Sequence, residues 1–210
     1  MRVRFLALAA TLAIATPLVA QQAGQKPGAQ NPALVTAGSY TADPRHTLVE
    51  WQVDHLGFSP YFGLFGDISG TLDLDPKNPA AAKVDITIPV SKVVTANPGL
   101  TAHLLRAPKD AGGKPDFFGP TPADAHFVST RVVAKGQTAK VSGDLSLNGV
   151  TRPVTLDVAF YGAGKSSNGK ENLGFSAKTV IKRSDFGLGF LVPMVSDEVE
   201  LKIAVAFTKN

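Results

Sequence analysis

The sequence predicts an all-β fold, with eight antiparallel strands closed into a barrel and one or two short helices. Three observations carry that expectation. Apolar and polar residues alternate with period two in eight separate runs, as half-buried strands require. The runs are mostly spaced for hairpins, without the strand–helix rhythm of a parallel sheet. A sheet of that length with one apolar face buries it only by folding over itself, as a sandwich or a barrel. The barrel also removes exposed edges, which favours it.

The clearest element runs from Val141 to Gly162, VSGDLSLNGVTRPVTLDVAFYG. Asn148-Gly149 suits a two-residue hairpin turn, where both central residues need φ > 0; Asn tolerates this and Gly adopts it freely. Such a turn sets Leu147 opposite Val150, Leu145 opposite Arg152, Gly143 opposite Val154 and Val141 opposite Leu156. Opposed residues share a face, so Val141, Leu145, Leu147, Val150, Val154, Leu156, Val158 and Phe160 make one apolar face. Ser142, Asp144, Ser146, Thr155 and Asp157 fall on the polar one.

The other elements follow in chain order. Leu48 to His55 alternates Val49, Trp51, Val53 and His55 against Glu50, Gln52 and Asp54. Leu56 to Gly66 is broken by glycines and a proline and holds four aromatics, which reads as a helical turn or bend carrying an aromatic cluster. Ile68 to Leu74 resumes the alternation, and Asp75-Pro76-Lys77-Asn78-Pro79 is a turn by composition. Val84 to Val90 is a third strand. Asn97 to Arg106 is the best helical stretch, with Leu100, Leu104 and Leu105 as a narrow apolar stripe. A loop with Gly112-Gly113 and Phe117-Phe118 leads to a strand over about Ala125 to Val133, and the hairpin follows. Leu173 to Ile181 and Val199 to Phe207 complete the set, joined by a Gly-broken connection over Ser184 to Met194.

The ends and the composition bound the biology. Residues 1–20 open with two arginines and an apolar run ending Pro-Leu-Val-Ala, the pattern of a secretory signal peptide. The run is short for a membrane span, and no other stretch approaches one, so the mature chain is expected without a span. Residues 21–37, rich in Gln, Ala, Gly and Pro, read as a flexible linker, and 38–210 as the barrel domain. Two of the 21 Lys and Arg residues lie in the leader, leaving 19 against 17 acids. With no basic cluster, that balance argues against a nucleic-acid partner. Cysteine is absent, which excludes thiol catalysis and disulfides.

Candidate chemistry is sparse. His46, His55, His103 and His126 fit no metal-ligand spacing. His55 and Arg152 share the inward face by parity, where each reads as a rim residue satisfied by water or a neighbouring carboxylate, as a contact for the polar head of a ligand, or as part of an enzyme acting on such a head. Gly164-Lys165-Ser166 lacks the earlier glycine of a phosphate loop, and Asp185-Phe186-Gly187 lacks the other kinase motifs. The inner face itself reads as a packed core or as a ligand cavity. Small residues at Gly70, Ala125, Ser129, Gly143 and Ala177 favour volume within it.

Four motifs in matching order resemble the YceI family: Val49 to Gly70, the Phe117-Phe118 loop, Gly143 to Thr155, and Ile181 to Leu188 with Val195 to Val199. The family's Phe-Asp stands here as Phe118-Gly119-Pro120. The resemblance implies a lipocalin-like barrel, export to the bacterial periplasm, and an isoprenoid or quinone-type lipid held inside, with no cofactor and no catalysis. A filled, ligand-free interaction module is the competing expectation, and a homodimer is compatible with either. The residues expected to line the ligand are Val49, Trp51, Val53, His55, Phe58, Phe62, Phe65, Leu104, Leu105, Phe117, Phe118, Phe127, Arg152, Phe160, Phe175 and Phe190. The aromatic bend and the Leu100–Leu105 helix are expected to cap one end.

Overall fold

The computed structural model describes residues 26–210, so the expected leader and the first residues of the linker lie outside the described residues. Among the described residues eleven strands form: β1 (Gly28–Ala29), β2 (Gly38–Ala42), β3 (Leu48–His55), β4 (Ser59–Phe65), β5 (Ser69–Leu74), β6 (Lys83–Ile88), β7 (Ala125–Lys135), β8 (Thr138–Leu147), β9 (Val150–Lys165), β10 (Glu171–Lys182) and β11 (Glu198–Lys209). One α-helix, α1 (Pro98–Leu104), accompanies them among the described residues. Asn97 caps it by accepting from the amides of Gly99 and Leu100, and Pro98 occupies the first turn, where a missing N–H costs nothing.

Eight strands close a ring of antiparallel ladders, β9–β8–β7–β6–β5–β2–β11–β10 and back to β9. The β8–β9 hairpin forms in the register set by its turn. Leu147 pairs with Val150, Leu145 with Arg152, Gly143 with Val154 and Val141 with Leu156. Asn148 and Gly149 adopt φ of 52° and 76°. On the outer face Ser142 bonds Thr155, Ser146 bonds Thr151, and Lys140 meets Asp157.

Two segments depart from the sequence expectation. Leu56 to Gly66 is a hairpin and not a helical bend: Leu56 and Gly57 take φ of 62° and 70°, and β4 pairs with β3 from His55–Ser59 to Val49–Phe65. The glycine that reads as a break is room for a ring. A Cβ on Gly63 would lie 2.1 Å from the Trp51 indole. The second departure is the expected linker. Its described part adds β1 to the far end of β9, with Gly28 opposite Gly164 and Ala29 opposite Ala163. β3 and β4 continue β2 and β5 past a break, since β11 pairs with β2 near Phe207 and with β3 near Leu201. The long strands β2–β3 and β4–β5 therefore each count once around the barrel.

Candidate ligand cavity

Eight strands give a barrel interior just wide enough to be filled by side chains or to hold one small ligand. Here it is not filled. A cavity of about 300 Å³ runs along the axis. Its wall takes Val49 from β3, Leu72 from β5, Val84 and Ile86 from β6, Phe127 from β7, Val141 and Leu145 from β8, Val154, Leu156 and Val158 from β9, Phe175 and Ala177 from β10, and Leu201, Ile203 and Val205 from β11. Among the described residues, no charged side chain and no histidine lines it. Its hydroxyls are already engaged: the buried Thr47 bonds the backbone of Ala206, Thr138 donates to the Lys135 carbonyl, and Thr179 donates to the Thr155 carbonyl. The lining offers a guest hydrocarbon contact and almost no hydrogen bond.

The volume does not come from the small residues expected to leave it. A Cβ on Gly143 would meet the Phe127 ring at 2.5 Å, and one on Gly70 would meet the Asp85 carbonyl at 2.1 Å, so both spaces are taken. Ser129 turns its hydroxyl to the Val84 amide. Of that set only Ala177 lines the cavity.

One end of the barrel is the mouth. The turns holding Pro76, Pro79, Gly136 and Gln137 surround it, and the N-terminal segment crosses it, with Pro32 and Val35 facing inward. This strap is held by β1, by Gln30 donating to the Phe160 carbonyl, and by Tyr40 donating to the Thr36 carbonyl at 2.6 Å. The Thr36 hydroxyl and the Lys209 ammonium both bond Glu171, and these contacts hold its carboxyl below the usual range.

The other end is closed. Phe118 packs on Phe65, and His103, Phe117 and Phe190 meet edge-to-face. The buried Arg183 donates to the carbonyls of Ser196, Leu188, Phe190 and Val195, which fixes the connection from β10 to β11 beneath the barrel. A buried guanidinium without a touching carboxylate is tolerable here because its donors are spread over four carbonyl dipoles.

Comparison with known proteins places this arrangement. The YceI-like domain matches residues 40–207, nearly the whole barrel. Protein YceI of Shigella flexneri is 38% identical over 172 residues, covering 80% of this chain and 86% of that protein. The chain belongs to the YceI family. Among solved structures, BcnA of Burkholderia cenocepacia matches this YceI-family chain with a TM-score of 0.66 at 25% identity, over 79% of this chain and 98% of that one. A polyisoprenoid binding domain from Saccharophagus degradans, implicated in plant cell wall breakdown, matches with a TM-score of 0.59 over 81% and 98% of the two chains. At 14% identity the latter likeness shows the fold alone.

The residues singled out from the sequence of this YceI-family chain fall into three places. Val49, Phe127, Phe160 and Phe175 line the cavity. Trp51, Val53, Phe65, Leu104, Leu105, Phe117, Phe118 and Phe190 are half-buried and are not part of the lining; those outside β3 sit at or beside the closed end. His55, Phe58, Phe62 and Arg152 are exposed, Phe58 to 87%, and Arg152 donates to the Thr151 carbonyl. The other histidines each sit against one aspartate: His46 on Asp43, His103 on Asp116 and His126 on Asp85. Aliphatic positions such as Ile86, Leu201 and Ile203 also line the cavity, and their period-two alternation, the same parity that puts Val141 and Leu145 inside, marks them in the sequence.

Proposed function

We propose that this YceI-family protein is a periplasmic carrier or store for an isoprenoid-chain lipid, of quinone or polyprenyl type, held in the barrel. The observation that carries the reading is the 300 Å³ cavity with a hydrocarbon lining and no charge. An isoprenoid tail presents only C–H groups, and each CH₂-sized unit moved out of water contributes ~0.8 kcal/mol. Many such units give tight binding without a directional contact. The leader-like residues 1–20 support export, and an aqueous compartment between two membranes is where a hydrophobic chain needs a dry container. The fold-sharing polyisoprenoid binding domain is a precedent for that ligand class. The protein performs no reaction on this reading.

Ala177 provides the test, because it lines the cavity from the middle of β10. A short prenyl quinone titrated into the mature protein should bind, and Ala177→Trp should lower its affinity at least ~10-fold while the thermal midpoint is kept, since the indole takes the guest's place. Equal binding by both proteins would refute the reading.

A further inference from the structure

The barrel wall has a break. β6 and β7 pair only between Asp85–Val128 and Ile88–Ala125, although β7 continues to Lys135. Where the next rungs belong, β7 carries a bulge between Ser129 and Arg131, and the Val84 amide donates to the Ser129 hydroxyl at 2.8 Å in place of a ladder bond. The turn Pro79–Ala81 lies against β7 at this point. Outside the break is a second cavity, of about 450 Å³. Ala82, Val84 and Val132 line both this outer cavity and the inner one. The two spaces are thus neighbours across three small apolar side chains, at the part of the wall where the Val84–Ser129 bond stands in place of the backbone ladder.

The outer cavity differs in chemistry from the inner one. Lys83, Arg131, Asp73 and Asp85 line it together with hydroxyl side chains. Asp85 is engaged by His126 at 2.6 Å. Among the described residues Lys83, Arg131 and Asp73 form no ion pair. Two unengaged cations against one unengaged carboxylate leave the pocket short of acceptors, and the guanidinium fork suits paired oxygens.

We propose that this outer pocket seats the polar head of the bound lipid, an oxygen-rich hydrogen-bond acceptor, while the tail passes between Ala82, Val84 and Val132 into the barrel. The inference rests on the lipid-binding reading and deepens it. An amphiphile needs a polar seat for its head, because burying an unpaired polar group is costly. The inner lining supplies only Gln137 and Thr138 near its mouth, and Pro32 and Val35 stand over that mouth. The broken wall supplies a polar surface within one side-chain layer of the apolar interior.

Three probes separate the possibilities: a prenyl phosphate, a prenyl quinone and a headless isoprenoid hydrocarbon such as squalene, each titrated into the mature protein and into Lys83→Ala/Arg131→Ala. Both substitutions are on exposed side chains and leave the inner lining intact. The double variant should bind at least one headed probe ~10-fold more weakly and the hydrocarbon unchanged, as expected for lost charge-assisted bonds. Which headed probe loses affinity identifies the head as phosphate or carbonyl. Unchanged binding of all three overturns the subsite and leaves the cavity reading standing, as does an equal loss for all three. Failure of every probe to bind the unsubstituted protein overturns both.

Discussion

At the scale of single residues, the barrel depends on a few positions where only one side chain fits. Gly63 lies under the Trp51 indole, and the hydrogen that stands in place of a Cβ is the only group the ring admits. Gly63→Ala is expected to cost about 1–3 kcal/mol through displacement of the indole, and thermal unfolding measures it. Arg183 is the opposite case, a charge held entirely by carbonyls. Arg183→Ala strands these acceptors in a buried site and is expected to cost about 3 kcal/mol or more, with the loss of order concentrated in the β10–β11 connection. Denaturant unfolding and amide exchange of that connection check it. Sequence showed the Asn148-Gly149 turn because its chemistry is local. It did not show the role of Gly63, because the reason for the glycine is a tryptophan on the neighbouring strand. Arg183 likewise stands in the sequence only as part of a motif, since its carbonyl partners are distributed over a loop that has no pattern of its own.

At the scale of elements, the misread segments are those whose structure is decided by a partner. β4 holds Pro60 and Gly63 within seven residues, a composition that argues for a bend, and β3 overrides it by offering a full ladder. The N-terminal strap has linker composition, yet β9 outruns β8 by several residues and leaves an edge at Ala163 and Gly164 that β1 occupies. Nothing in residues 28–36 announces that vacant edge. The strap's tie to Glu171 gives it a pH response. Glu171 has its carboxyl pKa lowered in the folded state, first by the Thr36 hydrogen bond and then by Lys209, so the contact stabilises above the ordinary Glu value of about 4.3 and is lost as pH falls through the lowered value. Protection of the amides at Gln30 to Thr36, measured relative to the intrinsic exchange rate, should therefore fall on acidification through the lowered carboxyl value, and Glu171→Gln should show low protection already at neutral pH. A flat pH profile in the unsubstituted protein would remove Glu171 from that role.

For the whole molecule, alternation and hairpin spacing sufficed to predict a closed antiparallel barrel, and the count of eight came out right for an instructive reason. The alternation does not mark β2 and β4 as strands, but they continue β3 and β5 around the same barrel positions, so the strand number of the ring is unaffected. The cavity was legible only in outline. Parity assigned an apolar inner face, whereas the free volume depends on how far the ring opens and on which side chains reach the axis, quantities no single strand contains. Phe127, for example, fills the gap left by Gly143 and lines the cavity beyond it. The large aromatics favoured from the sequence are instead concentrated where the barrel is sealed, around Phe117, Phe118 and Phe190.

The most direct measurement of the central claim is the intact mass of the exported protein, purified without detergent and sprayed under native conditions. The account predicts a population heavier than the bare chain, by a mass that solvent extraction releases as an isoprenoid lipid. A bare mass in repeated preparations, unchanged after incubation with prenyl quinone in vesicles, would contradict it.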